Sequence, residues 1–289
     1  MTASQLSTYN DALVERLNVA SLPYRDPVAE IPWEELDPTR PWLPERLVSL
    51  YGLPEYASLT ETQRLRLTQV EFVATAEFGL WLESLFLSRF THDSLHQLDA
   101  SPPAYRYQLH ELREEVGHSL MFLELMHRSG VPMLTPIGRR VRLAGLFARL
   151  MSAQSPLFRA AVFVGEAAPN HFNHLICADH TIPAAVRAIV QLHRRDETRH
   201  IAYARLRLAH DLPHLSRGSR AIYGPLLRIV ISHFVQSCFY PAAAIYAAAG
   251  IEDAQRMTIA VRHSAARAEL VEHCLGPVRR FLCEQGLRV

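Results

Sequence analysis

The chain of 289 residues is 49% hydrophobic and 20% charged, with a formal net charge of +1, a balance that supports a buried core and gives no electrostatic case for nucleic acid as a general partner. All 30 basic residues are arginines; without lysine there is no Schiff-base chemistry, no pyridoxal-phosphate lysine and no standard phosphate-binding loop. The four cysteines, Cys177, Cys238, Cys274 and Cys283, are scattered without a Cys-x-x-Cys pair, which argues against zinc ribbons, iron–sulfur motifs and disulfide frameworks and fits a reducing cytoplasm.

Helical periodicity dominates, and strand-like alternation is nearly absent. The opening MTASQLSTYNDALVERL carries acids and no apolar run, so no signal peptide is expected; a helix is predicted around 4–18. The stretch to about residue 55 is rich in proline (Pro23, Pro27, Pro32, Pro38, Pro41, Pro44) and is expected to wrap over the core without forming a domain of its own. Thr60 is placed to cap a long helix to about Phe90. After Pro102 and Pro103 a second runs from Ala104 to about Arg128, closed by Gly130 and Pro132.

A shorter helix is predicted over 138–152, then one over roughly 156–177 with a kink at Pro169, and one over 183–211 between Pro183 and Pro213. Two more fill 219–249, interrupted at Pro225 and Pro241, and 252–285. The apolar run 226–249 contains Arg228, His233, Gln236 and Pro241, and reads as a buried helix or a homodimer contact in preference to a membrane span. The expectation is one all-α domain, 1–289, a bundle of roughly seven to nine helices with an N-terminal wrap (1–55), a ligand-bearing middle (60–211) and C-terminal helices (219–285).

HRRDETRH, residues 193–200, lies within the helix over 183–211. At about 100° per residue His193, Glu197 and His200 share one face. That face continues as Val186, Ile189 and Val190 before them and Ala204 and Leu208 after, with Arg194, Arg195, Asp196 and Arg199 assigned to the others. Polar groups on a core face need partners, and a metal is one. A dinuclear site in a helical bundle takes a Glu from each of two helices and a Glu-x-x-His pair from each of two more; carboxylates bridge the ions and imidazoles suit iron.

Glu197-Thr-Arg-His200 is one such pair. Glu115-Val-Gly-His118, on an inward face with Leu112, Ser119, Phe122 and Met126, is another. A third, Glu124–His127, is turned about 180° to the far side of its helix and is expected to face solvent. Glu166 is the only acid between Glu124 and Asp179, in a helix of Ala, Val and Phe, and is the candidate lone acid there. On the 60–90 helix the candidates are Glu71, Glu77 and Glu83. The apolar stripe Leu67, Val70, Ala74, Leu80/Trp81, Leu85 passes through Glu77, which is therefore preferred. His193 is an additional imidazole one turn before Glu197, with a hydrogen-bonded core histidine as the alternative.

Other features carry blander readings. His171 and His174 look like polar residues near a helix end more than a second metal site. Arg139, Arg140, Arg142 and Arg149 form a solvated face, or else dock an acidic carrier protein. Tyr203, three residues after His200, reads as a packed aromatic in preference to a residue supporting the ligands. Gly-x-Ser-x-Gly and Gly-x-Gly-x-x-Gly do not occur, so hydrolase and dinucleotide fingerprints are missing.

With Glu77, Glu115-x-x-His118, Glu166 and His193-x-x-x-Glu197-x-x-His200, the chain over about 60–210 resembles the p-aminobenzoate N-oxygenase family of ferritin-like diiron oxygenases. A third histidine one turn before the last Glu separates that family from six-ligand diiron proteins, and His193 stands at that place. The resemblance implies a four-helix diiron core with additional helices, two iron ions (Fe2+/Fe3+) and O2 as co-substrate. No catalytic side chain is needed beyond the metal ligands. The implied reaction oxidises an amine nitrogen to the hydroxylamine, and on to nitroso or nitro, in secondary-metabolite biosynthesis. The substrate would be a small-molecule amine or an aminoacyl group tethered to a carrier protein, and a separate reductase would supply electrons. The alternatives are a diiron hydroxylase or desaturase acting at carbon and, more distantly, an iron-storage or ferroxidase protein.

Overall fold

In the computed structural model, residues 3–94, 102–134 and 151–289 are described. Four long helices form the core: α4 (Glu61–Ser94), α5 (Pro102–Ser129), α6 (Pro156–Cys177) and α7 (Ala184–Asp211). They are preceded by α1 (Ala3–Ser21), α2 (Pro27–Glu30) and α3 (Pro54–Ala57), and followed by α8 (Arg217–Cys238), α9 (Ala243–Ala248), α10 (Ala254–Arg262) and α11 (Ala265–Glu284). Among the described residues there is no strand.

Side-chain contacts fix the directions of the core helices. Ser119 lies against Glu83 and Phe122 against Gly79, so α4 and α5 run antiparallel. Asn173 meets His193 and Arg159 meets Asp211, so α6 and α7 are antiparallel too. Glu114 reaches His200 while His118 reaches Asp196, which sets α5 antiparallel to α7 and hence parallel to α6. α5 and α6 are thus consecutive in the chain yet parallel, as are two helices joined by a long connection in a ferritin-like bundle.

The helices begin and end where local chemistry directs. Thr60 and Gln63 form a reciprocal capping box at the start of α4, with Gln63 N donating to Thr60 Oγ1 at 3.2 Å and Thr60 N to Gln63 Oε1 at 3.0 Å. Gly130 closes α5 with φ +63°, a left-handed turn that costs glycine no Cβ clash. Between Leu67 and Glu83, α4 buries Val70, Phe72, Val73, Phe78, Leu80 and Trp81, residues pointing in every direction; it is the central helix of the bundle. The proline-rich wrap lies over it, burying Trp42, Leu43, Leu47 and Leu50, and Gln69 Nε2 ties it down by donating to Pro38 O at 2.7 Å.

Two boundaries differ from expectation. α8 runs straight through Pro225, which faces solvent, where water can take the backbone carbonyl that a proline leaves unpaired. The stretch 252–285 is two helices, because Ser264 caps a new one by accepting from Arg267 N at 3.2 Å. The predicted helix over 138–152, with Arg139, Arg140, Arg142 and Arg149, falls outside the described residues apart from 151 and 152, which are not helical. The segment Arg217–Ala248, long and apolar enough to cross a membrane by composition, breaks at 239–242 and rests on the bundle through Gly224, Leu227, Ile231 and Phe234 of α8.

Candidate metal centre

Six of the seven predicted ligand residues converge inside the four-helix core, joined by Glu83. One group of potential ligand atoms comes from Glu83, His118 and His193, another from Glu115, Glu166, Glu197 and His200; within each, the atoms lie within 4.8 Å of one another. Two acids stand between the groups. Glu115 lies 3.5 Å from His118 Nδ1 through Oε2 and 3.0 Å from His200 Nδ1 through Oε1. Glu197 Oε1 lies 3.3 Å from His193 Nε2, 3.8 Å from His118 Nδ1 and 3.6 Å from His200 Nδ1. Glu115 and Glu197 thus hold bridging positions, with Glu83 and Glu166 at the two ends.

Whether these residues fit a pair of metal ions can be judged from their unmet bonds. Glu83 Oε1, Glu115 Oε2, Glu166 Oε2, Glu197 Oε2, His118 Nδ1 and His200 Nδ1 are all buried with no hydrogen-bond partner. Buried polar atoms are normally paired; six that make no hydrogen bond and converge on one place form a group that could hold cations. The donor set of carboxylates and imidazoles suits iron or manganese.

The electrostatics agree. Burial pushes the Glu166 carboxyl well above its usual range, reinforced by Glu197 and Glu111, and burial likewise raises Glu83, with Glu115 adding to it. Glu115 is the exception: burial opposes its charge, but His118 and His200 together hold it below the ordinary carboxylate range. His118, although burial disfavours its cation, is lifted to about 10 by Asp196, Glu115 and Glu83. Negative charge that draws protons onto buried imidazoles draws dications in their place.

Glu77 is not at the centre. It is 2% exposed and its Oε2 accepts from Leu134 N at 3.2 Å, whereas Glu83, two turns further along α4, joins His118 and His193. The apolar stripe misleads here because α4 has no solvent face along this stretch: Glu71, Glu77 and Glu83 are all buried, at 4%, 2% and 5% exposure. Glu71 is bonded by Ser49 N at 2.9 Å and lies 4.0 Å from Arg267. Glu124 and His127 sit on the outer side of α5, as expected. His171 and His174 join no ligand group among the described residues, and Tyr203 packs on Tyr107 with ring centroids 4.7 Å apart.

Residues outside the predicted set support the centre from behind. Asp196 Oδ2 lies 3.2 Å from His118 Nε2, and Glu114 Oε2 lies 3.0 Å from His200 Nε2. Each acid immediately precedes the Glu of a Glu-x-x-His pair, and each serves the histidine of the opposite helix. The signal was therefore in the sequence as a doubled pattern, Glu114-Glu115-x-x-His118 and Asp196-Glu197-x-x-His200. Glu111, one turn before Glu115, is a further buried acid, pushed up to about 8 by burial with Glu115 and Glu197 adding to it.

A cavity of about 350 Å³ opens onto one side of the centre, where Glu83, Glu115, Glu166, His193 and Glu197 form part of its wall. His118 and His200 are not in that wall; they close the opposite side. The remaining lining is mostly apolar, including Ala76, Phe122, Phe172 and Ile189, and takes in the turn 239–242. Gly79 lets α4 approach α5 here, since a Cβ would lie 2.8 Å from Phe122 Cε2.

A family model described as P-aminobenzoate N-oxygenase AurF matches residues 7–286. Among curated relatives, the uncharacterized protein Rv0885 of Mycobacterium tuberculosis (strain ATCC 25618 / H37Rv) and the uncharacterized protein Mb0909 of Mycobacterium bovis (strain ATCC BAA-935 / AF2122/97) are each 26% identical over 211 residues, 70% of this chain. The match spans 62% of the length of these relatives. In structure, the chain is similar to an R2-like ligand-binding oxidase with aerobically reconstituted metal cofactor after photoconversion, at TM-score 0.55 and 13% identity, with 97% of this chain and 93% of the other covered. It is equally similar to an R2-like ligand-binding oxidase with aerobically reconstituted Mn/Fe cofactor, at TM-score 0.55 and 12% identity, with 97% and 92% covered. That likeness establishes the ferritin-like fold.

Proposed function

Because the chain belongs to the p-aminobenzoate N-oxygenase family, we propose that its buried cluster holds two iron ions and that it oxidises the nitrogen of an amine with O2. One observation carries this reading: six buried, unpaired carboxylate and imidazole atoms converge beside a mostly apolar cavity. Glu83, His118 and His193 would hold one ion and Glu166 and His200 the other, with Glu115 and Glu197 between them. Two redox-active ions so held supply the electrons that activate O2.

The chain's own residues set the conditions. Asp196 and Glu114 take the outer nitrogens of His118 and His200, which leaves each Nδ1 free to face an ion. The two imidazoles close one side, so substrate and O2 reach the centre from the cavity. Phe122, Phe172 and their neighbours exclude water from that space, which favours oxygen transfer to substrate over loss of the oxidant to solvent. The balanced reaction is R–NH2 + O2 + 2 e− + 2 H+ → R–NHOH + H2O, the electrons coming from a separate reductase. The substrate class is a small amine or a carrier-tethered aminoacyl group, and cysteines that form no disulfide are in keeping with a cytoplasmic setting.

The test is product analysis. Protein loaded anaerobically with Fe(II) is mixed with O2, a chemical reductant and a panel of aryl and alkyl amines, and products are resolved by mass spectrometry with 18O2. Label on nitrogen is expected. Label on carbon with the amine intact would move the assignment to hydroxylation, and purified protein that takes up no iron would end the oxygenase reading.

A further inference from the structure

Behind the two imidazoles, the outer acids share one cation. Glu114 and Asp196 are buried, at 2% and 4% exposure. Each gives one oxygen to a histidine and turns the other to Arg199: Nη2 lies 2.9 Å from Glu114 Oε1 and 2.7 Å from Asp196 Oδ1. The guanidinium is itself pinned, with Nε donating to Ser21 Oγ at 2.9 Å and Nη1 to Arg195 O at 3.3 Å. Neighbouring arginines reach only one of these two acids each. Arg195 Nε is 3.1 Å from Asp196 Oδ1 on a half-exposed side chain, and Arg113 Nη2 is 3.9 Å from Glu114 Oε1.

We propose that Arg199 is a positioning residue that orients both imidazoles of the metal centre at once, so that one guanidinium sets the geometry of two metal sites. This rests on the reading that the cluster binds metal. A coordinating imidazole must carry its proton on the far nitrogen and keep the near lone pair aimed at the ion. The acceptor behind it fixes both, and such outer partners tune metal affinity strongly. A buried carboxylate with no cation beside it is costly and free to turn. Arg199 removes both faults for Glu114 and Asp196 together, and through Ser21 it ties this layer to the last residue of α1. His118 belongs to one ligand group and His200 to the other, so a fault at Arg199 must appear at both.

Metal-free protein titrated anaerobically with Co(II), read by visible absorption and by elemental analysis after desalting, tests this without turnover. Wild type is expected to bind two ions per chain. Arg199→Gln is expected to weaken both sites, each by roughly 10- to 100-fold, and Arg199→Lys to recover part of the loss. Arg195→Gln is expected to weaken one site only, that of His118. Wild-type affinity in Arg199→Gln, a loss confined to one site, or an equal two-site loss in Arg195→Gln would overturn the assignment. No Co(II) bound by wild type would overturn the metal reading along with it, whereas two ions bound equally by wild type and Arg199→Gln would sink this inference alone. Should Arg199→Gln fail to fold by far-UV circular dichroism, Arg199→Lys carries the test, with partial loss at both sites supporting the role and wild-type binding refuting it.

Discussion

Exchanging Glu83 for glutamine removes a carboxylate from the group with His118 and His193 but keeps an acceptor for Ser119 Oγ, which donates to Glu83 Oε2 at 2.6 Å. Burial already raises this carboxyl's pKa, so the neutral isostere should leave the metal-free protein as stable as before, or slightly more so. The metal response should differ. An ion that binds only the folded chain stabilises it by about 2.7 kcal/mol at a 100-fold excess over its Kd, so two ions give roughly 5 kcal/mol. For a chain of this size each kcal/mol moves Tm by roughly 2–4 °C. Wild type with excess Mn(II) should therefore melt roughly 10–20 °C above the chelated protein, and Glu83→Gln should retain about half of that shift. Glu77→Gln, whose amide oxygen can still accept from Leu134 N, should keep all of it. Differential scanning calorimetry with and without chelator reads both. A Glu77→Gln protein that loses the metal shift while Glu83→Gln retains it would refute the placement of the fourth carboxylate.

Four further outcomes follow from particular residues. Gly79→Ala drives a Cβ to 2.8 Å from Phe122 Cε2, and urea unfolding should show a loss of roughly 1–3 kcal/mol; an unchanged midpoint would mean Phe122 swings aside freely. Burial pushes the Cys274 thiol up to about 12 from 9.0. Above pH 9 the unfolded chain therefore gives up this proton while the folded chain keeps it, and stability should fall as pH rises from 9 to about 12. Native protein treated with iodoacetamide should label at exposed Cys283 and not at Cys274, and rapid native labelling of Cys274 would contradict its burial. Phe239→Leu, in the cavity wall, should shift preference toward bulkier amines with metal stoichiometry unchanged; an altered stoichiometry would show that this ring supports the centre itself.

Much of the architecture was legible because helices leave a periodic trace. The paired Glu-x-x-His motifs on α5 and α7, together with Glu166 as a lone acid among Ala, Val and Phe, pointed inward by the same rule that buried their apolar neighbours. The rule broke on α4. A stripe identifies the inward side only when another side meets water, and a helix buried from Leu67 to Glu83 has none, so Glu77 and Glu83 could not be told apart. Asp196 was misread for a related reason: 100° from Glu197 looks like a different face, yet α5 and the end of α1 cover that side of α7 as well. Pro225 and Ser264 show the local limit. A proline is easier to carry inside a helix where water can reach its orphaned carbonyl, and a serine starts a helix only if the chain turns there.

The turn 239–242 has a consequence for how such a protein diversifies. Among the described residues, the groups that could hold metal come from α4 to α7, while part of the wall that a guest molecule would meet comes from a break between two helices outside that quartet. The potential ligand groups and this part of the cavity wall therefore lie in separate stretches of the chain. Substitutions near 239–242 can change which molecule is accepted while the oxidising machinery stays intact, so related chains can share one chemistry and differ in what they act upon.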